Sequence, residues 1–178
     1  MHRNIFRFFL ANRNGLILFS LLIVLTAGAT LYYESGKMER LYQSYSLDLT
    51  SQLPVMRIRS NERSDSQSNT LDYALATEDF DLALTCINEM QRRDTSNMTL
   101  VYYDAILREK QQQYLQSITS YQRVRFNSQL FDTAALRRLV LLYLKLNEEA
   151  RAVEMLTELN IIGTAQDQLW VKELISQL

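Results

Sequence analysis

The fold of this chain is decided by residues 78–90, EDFDLALTCINEM, and by a second copy of their pattern, QQYLQSITSYQRV, at residues 112–124. The offset is 34 residues, and a third copy, NEEARAVEMLTEL at residues 147–159, follows after 35. Each copy has a small residue with apolar residues four and seven positions later: Ala83, Ile87 and Met90; Ser117, Tyr121 and Val124; Ala152, Leu156 and Leu159. These positions share one helical face. A period near 34 is typical of helix–turn–helix repeats, so the sequence predicts an all-α protein.

This pattern resembles the tetratricopeptide repeat. The resemblance implies a right-handed, three-repeat α-solenoid with a C-terminal capping helix. The expected repeats are 64–97, 98–131 and 133–165, and the expected helices are 67–77, 80–92, 97–110, 113–125, 130–146, 148–159 and 165–178. Asp79 and Asn147 are expected at helix starts or turns, and Gly163 at the end of the last pair.

A capping helix is expected because each repeat buries its apolar face only against its neighbours. In residues 165–178 the predicted covering stripe is Leu169, Trp170, Leu174 and Leu178. Trp170 is interpreted as an anchor of this cap, with a ligand contact as the alternative.

The composition favours helix and excludes several classes of protein. Four glycines and one proline leave little turn chemistry for a many-stranded sheet. After residue 33 the chain carries 16 basic and 20 acidic residues, a net charge of −4. This argues against nucleic-acid binding, which needs a basic face. A single cysteine, Cys86, excludes an internal disulfide framework.

Residues 14–33, NGLILFSLLIVLTAGATLYY, contain no charge. As a helix they span about 30 Å, the thickness of the hydrocarbon core of a bilayer. Three arginines precede them, and the charges that follow cancel. The positive-inside rule then predicts a single-pass protein of the inner (cytoplasmic) membrane, with residues 1–13 in the cytoplasm and the repeats in the periplasm.

Two alternatives to a retained transmembrane helix stay open. Ala27-Gly28-Ala29 has the form of a signal-peptide cleavage site. A buried soluble helix is the other alternative, although a helix this apolar would need complete burial. A retained anchor and a cleaved signal peptide place the repeats on the same side of the membrane.

Residues 34–66 are predicted to be a stalk and a polar tether before the repeat domain at 67–178. The stalk is expected to extend the spanning helix, with Met38, Leu41 and Tyr45 at helical spacing and an end before Pro54. A basic segment, one span, a tyrosine-containing stalk and a few repeats are together similar to membrane-anchored repeat proteins of bacteria, notably of Bacteroidota.

The sequence offers no catalytic, metal-binding or cofactor-binding pattern. The only histidine is His2, and no nucleophile-elbow, dinucleotide-binding or zinc-protease motif is present. The acidic residues near 78–81 and 148–149 are interpreted as favourable charges at helix starts, with metal binding as the alternative. Cys86 is interpreted as a small buried residue, with a reactive thiol as the alternative. We therefore expect no enzyme, no cofactor and no small-molecule substrate.

The remaining expectation is binding of a protein or peptide partner in the cell envelope. The resemblance implies that the first helix of each repeat lines a concave groove. The predicted partner-binding residues are Tyr102, Ile106, Glu109, Arg137, Arg138, Leu141 and Lys145. Of these, Tyr102, Arg137, Arg138 and Leu141 are expected to face solvent. The arginines suit an acidic peptide, the alternative being a solvated helix face. The predicted function is an adaptor or scaffold, and the alternative is a regulatory module acting with a membrane partner.

Overall fold

The computed structural model describes the backbone of residues 13–50, 66–128 and 130–178. Inside these ranges, the side chains of residues 13–16, 18, 31, 34, 35, 47–50 and 66–68 are left undescribed. The described residues form eight α-helices and no strand. The predicted all-α class is therefore confirmed for these ranges.

The helices are α1 (Arg13–Thr50), α2 (Ser66–Ala76), α3 (Phe80–Arg93), α4 (Met98–Lys110), α5 (Tyr114–Asn127), α6 (Asp132–Lys145), α7 (Glu149–Ile162) and α8 (Ala165–Ile175). From α2 onward, each begins and ends within three residues of the expected position. Each of α2 to α7 packs against the helix that follows it, and α1 packs against α6. Helices adjacent in sequence are therefore adjacent in space, and α1 is the exception.

Helix α1 runs without a break for 38 residues, so the predicted stalk does extend the helix that begins near residue 14. Counting only the described residues, no helix is long and apolar enough to cross a membrane. The predicted span at 14–33 lies partly outside the described side chains. Residues 1–12 of the basic segment, and residues 51–65 with Pro54 and most of the polar tether, lie outside the described residues altogether.

The turn between the two helices of each predicted pair has the same backbone conformation. Glu78, Gln112 and Asn147 have φ values of 55°, 60° and 59°, in the left-handed region. The residue after each donates its N–H to the carbonyl five positions earlier, at 2.8 Å in all three turns. This is the long hydrogen bond of the Schellman motif, which closes a helix C-terminus. The turn therefore recurs at the period seen in the sequence.

Side-chain caps explain why several helices begin and end where they do. The Asp79 side chain accepts a hydrogen bond from the Leu82 N–H at 3.0 Å, so the predicted cap of α3 is confirmed. At α8, Thr164 and Asp167 form a reciprocal capping box. Gly163 ends α7 as predicted, and a Cβ there would collide with the Leu159 carbonyl oxygen and the Asp167 side chain.

The small residues of the repeated pattern lie in the core. Ala83, Ser117 and Ala152 are fully buried, and so are the apolar residues four positions after each. The Ser117 hydroxyl donates to the Ala105 carbonyl at 2.8 Å, which satisfies its only buried polar group. Burying a large apolar side chain stabilises a fold by about 1.5–3 kcal/mol. Of the residues seven positions after each, Val124 and Leu159 are fully buried and Met90 is half-buried against the core, so the predicted packing face is confirmed.

The apolar stripe of the last helix differs from the prediction. Val171 and Leu174 are buried, Trp170 is half-buried, and Leu169 is 69% exposed. The prediction for Leu169 was wrong because the buried apolar residues of α8 are Val171 and Leu174, and Leu169 is two and five positions from them, a spacing that places it on another side of the helix.

Candidate functional site

The second half of α1 has one buried face. Four residues form this face, at the spacing i, i+3, i+4 and i+7 that places them on one side of a helix: Met38, Leu41, Tyr42 and Tyr45. Met38 and Leu41 are buried, and Tyr42 and Tyr45 are half-buried. The neighbouring Gln43 is exposed. The segment is therefore amphipathic and packed on one side only.

This face of α1 rests on α4, α6 and α8, and we call the surface it contacts the inner face. The Tyr45 ring meets Trp170 edge to face, with centroids 5.9 Å apart. The Tyr45 hydroxyl donates to Glu173 Oε1 at 3.0 Å and accepts from Gln177 Nε2 at 2.9 Å. Edge-to-face aromatic pairs are favoured by the ring quadrupoles. The end of this part of α1 is thus held by both an aromatic and a polar contact.

Charged groups fix the position of α1 at residues 37–39. Lys145 Nζ lies 2.6 and 2.7 Å from the two carboxylate oxygens of Glu39, and 5.0 Å from the centre of the Tyr42 ring. The hydrogen bond from Lys145 holds the pKa of the Glu39 carboxyl below its ordinary value. Lys37 Nζ donates to the Leu178 carbonyl at 2.8 Å. These contacts set the register of α1 on the inner face.

A buried ion pair lies directly beneath α1. Arg138 Nη1 is 3.4 Å from Glu109 Oε1, and both side chains are less than a tenth exposed. The Tyr121 hydroxyl donates to Glu109 Oε2 at 3.1 Å, and the Tyr42 hydroxyl lies 3.4 Å from Oε1. A buried charge is tolerated only when it is paired and hydrogen-bonded. Residue Tyr42 of α1 thus completes the surroundings of Glu109.

Burial and the Glu109 carboxylate shift the ionisation of this cluster. Burial raises the pKa of Tyr121 well above its ordinary value, and the Glu109 charge adds to the effect. Burial alone would lower the pKa of Arg138, but the Glu109 carboxylate and the neighbouring tyrosines raise it instead. Arg138 therefore stays charged in this cluster, and Tyr121 stays neutral.

The predicted partner-binding residues all lie on α4 and α6, but most of them are buried. Tyr102, Ile106, Glu109, Arg138 and Leu141 are each less than a tenth exposed. The expectation that Tyr102, Arg138 and Leu141 face solvent was wrong. Tyr102 stacks on Phe131 with centroids 4.8 Å apart and meets Tyr121 edge to face at 5.6 Å. It joins α4 to α5 and to the residue that precedes α6.

The two remaining predicted cations are engaged within the chain. Arg137 pairs with Asp167 of α8, and Lys145 pairs with Glu39 of α1. Burial alone would raise the pKa of Asp167, but hydrogen bonds from Thr164 and from Arg137 hold it below its ordinary value. Arg137, for which an acidic peptide was the expected partner, is thus paired with an acid of this same chain, and so is Lys145.

The sequence reasoning missed the α1 contribution to this site. The spacing of Met38, Leu41 and Tyr45 was a usable signal, since it describes an amphipathic helix that needs a partner surface. The pairing of Glu39 with Lys145 joins residues 106 positions apart. A contact at that separation leaves no local pattern in a single sequence.

Two open clefts lie on the surface, one beside α1 and one beside α8. One, of about 440 Å³, lies between α1 and the end of α6, with Tyr32, Tyr33 and Asn147 in its wall. The other, of about 670 Å³, lies between α7 and α8, with Asn160 and Leu169 in its wall. The first cleft exists only because α1 is docked, so its shape depends on that contact.

Reactive groups within the described residues are few. Cys86 is buried, and burial raises the pKa of its thiol, with the Glu89 charge adding to the effect. Across residues 13–50, 66–128 and 130–178, no group of three or more His, Cys, Asp or Glu side chains is placed to hold a metal ion. Cys86 therefore packs as a small core residue, which was the preferred interpretation of the two.

A scan against models of protein families and a search of curated proteins both find no match.

Proposed function

We propose that this protein is a membrane-anchored adaptor of the bacterial cell envelope that binds a helical segment of another protein through its inner face. The observation that carries the proposal is the inner face itself, which holds residues 37–45 by apolar, aromatic and ionic contacts at once. A surface that binds one amphipathic helix in a defined register has the features that helix-in-groove recognition requires.

The architecture that we propose is a three-repeat tetratricopeptide-like solenoid with α8 as its cap. Three observations support it: the Schellman turns at Glu78, Gln112 and Asn147, the buried small residues at the same period, and the packing of each helix against the next. Repeats of this kind present an extended surface to other proteins.

We further propose that residues 14–33 anchor the chain in the inner membrane and that the repeats lie in the periplasm. The absence of charge over these 20 residues and the three arginines before them support this topology. The described leucines of this part of α1, Leu21, Leu22 and Leu25, are all more than half exposed. Apolar side chains in such a row are covered in a folded protein by a lipid or protein surface.

Membrane topology is tested with protease added to spheroplasts that express the full chain. The proposal expects fragments cut after residue 50 and an N-terminal fragment protected by the membrane. Complete protection of the repeats until the membrane is dissolved would place them in the cytoplasm and overturn this part.

Adaptor binding is tested by photo-crosslinking in intact envelopes. A photoreactive amino acid replaces Lys145 on the inner face, and a matched probe replaces the exposed Thr119 on α5. We expect a discrete adduct with another protein from position 145 and none from position 119. Adducts from position 119 alone would contradict binding at the inner face.

A second candidate function is a regulatory or signalling module that acts with a membrane partner. It is favoured by one observation: α1 is continuous from the predicted span to the docked segment. Binding of a partner at the inner face would therefore shift the position of residues 14–33, which belong to the same helix. This function predicts photo-adducts from positions within 14–33 to a second membrane protein, and the loss of a transcriptional response when the chain is deleted.

A further inference from the structure

The inner face already contains a ligand, and that ligand belongs to the chain itself. We propose that residues 37–45, here named the docking segment, are a resident competitor for the protein-binding site. A partner enters by supplying an amphipathic helix of the same chemistry and displacing them. This inference rests on the proposed function of the inner face, and it adds both the kind of partner and the way that access is controlled.

The contacts of the docking segment define the chemistry that the partner must copy. Two apolar side chains, Met38 and Leu41, fill the buried centre at i and i+3. Hydroxyl-bearing rings follow at i+4 and i+7, where Tyr42 reaches Glu109 and Tyr45 reaches Glu173. An acid at i+1 meets Lys145. The partner is therefore a helix with an apolar–acidic start and two aromatic hydroxyls, spaced over about two turns.

The way the docking segment joins the stack suggests a displaceable ligand. Consecutive helices from α2 to α8 are separated by two to four residues and pack against each other, whereas α1 packs against α6, which is distant from it in the sequence. The docked contact consists of a few side chains on one face of α1, and Arg40, Gln43 and Ser44 on the other side are exposed. Its release leaves the packing between α2 and α8 intact.

Covalent connection makes the docking segment a strong competitor. A tethered ligand acts at an effective concentration of roughly millimolar for a short linker. An external helix of equal intrinsic affinity must be present at a comparable concentration to displace the docking segment. Access to the inner face is therefore low while α1 is docked, and it rises when α1 is released.

The test uses the full chain in detergent micelles and a labelled peptide of residues 34–48, ESGKMERLYQSYSLD. Leu41→Glu in the chain places a charge in the buried contact and frees the inner face. We expect the peptide to bind this variant at least about tenfold more tightly than it binds the wild type, because the tethered competitor is gone. A peptide that itself carries Leu41→Glu is the matched control and should not bind.

Trp170 reports the same event without a label, since it is the only tryptophan of the chain and touches Tyr45. Release of α1 in the Leu41→Glu variant should move its emission to longer wavelength, and added peptide should move it back. Equal peptide affinity for wild type and variant would overturn the proposal. So would failure of a helical, cooperatively melting Leu41→Glu chain to bind the peptide at all.

A charge-exchange pair covers the case in which Leu41→Glu does not fold. The Lys145→Glu chain should bind the Glu39→Lys peptide more tightly than the wild-type peptide, and the preference should reverse for the wild-type chain. No preference in either chain would contradict the assigned register. A wild-type dimer that dissociates in the Leu41→Glu variant would make the occupant a second copy's α1 and overturn an intramolecular competitor.

The outcomes separate this inference from the adaptor function. Peptide binding without any photo-adduct from position 145, even in the Leu41→Glu chain, would support the docking segment and count against the adaptor. Photo-adducts that are unchanged by Leu41→Glu, together with no peptide binding, would support the adaptor and refute the resident competitor.

Discussion

The two halves of α1 belong to one continuous helix but lie in different surroundings. In the first half, Leu22 and Leu25 are 58% and 61% exposed. In the second half, Met38 and Leu41 are 6% and 7% exposed, and one side of the helix rests on the inner face. A helix with a single buried stripe is satisfied by a protein surface, whereas one that is apolar on all sides needs an apolar surrounding. The change from a surface that is apolar on all sides to a single buried stripe marks where α1 becomes part of the stack.

The largest expected effect comes from the ion pair beneath the docked half. Arg138→Leu removes the partner of the buried Glu109 carboxylate and should lower the free energy of unfolding by about 3–5 kcal/mol. Thermal or denaturant unfolding of the full chain in detergent, followed by circular dichroism, measures this loss.

The control for Arg138→Leu is the double variant Glu109→Gln with Arg138→Leu. It removes both charges and should recover most of the lost stability, because no uncompensated charge stays buried. A double variant that is as unstable as Arg138→Leu alone would mean that packing, and not the charge, determines the effect.

The next effect compares the two halves of α1 by the same substitution. Leu41→Ala should cost about 2–3 kcal/mol, the lower part of the range for a buried leucine, because the contact is one-sided. Leu25→Ala removes the same atoms from an exposed position and should leave the unfolding midpoint of the stack unchanged. Equal losses in the two variants would show that the first half also packs on protein.

The helix positions were predictable from the sequence because their causes are local. The repeated small residues, the Asp79 cap and the stop at Gly163 are each encoded within one or two turns. These signals located every helix from α2 onward to within three residues.

Burial within the candidate site was less predictable because its causes are distant. Tyr102 was assigned to the right helix, but it stacks on Phe131, which lies 29 positions later and beyond α5. Arg138 was expected to meet an acidic peptide, and it meets Glu109 of this chain instead. A single sequence shows that a cation is present but not which distant acid neutralises it.

A smaller effect is expected at the far end of the docking segment. Tyr45→Phe keeps the ring against Trp170 but removes the hydroxyl that meets Glu173 and Gln177. The cost should be about 0.5–1.5 kcal/mol, the usual net value of a hydrogen bond. Tyr73→Phe is the control, because Tyr73 is an exposed tyrosine on α2. Tyr45→Phe and Tyr73→Phe should differ in unfolding midpoint while Trp170 emission stays the same in both.

The smallest expected effect is the coupling between Glu39 and Lys145, which joins α1 to the end of α6. Both side chains are partly exposed, so a double-mutant cycle of Glu39→Gln and Lys145→Met should give a coupling energy of about 0.2–1 kcal/mol at neutral pH.

The hydrogen bond from Lys145 lowers the pKa of Glu39 from its ordinary 4.5, so the coupling is fully present above pH 4.5. It should disappear as the pH falls through the lowered value and the carboxylate is protonated. The pair of Arg151 on α7 and Glu148, the residue before α7, is the control, since it does not join α1 to the stack. A Glu39–Lys145 coupling no larger than that of the control at neutral pH, or one that persists in acid, would remove this ion pair from the contacts that hold α1 in place.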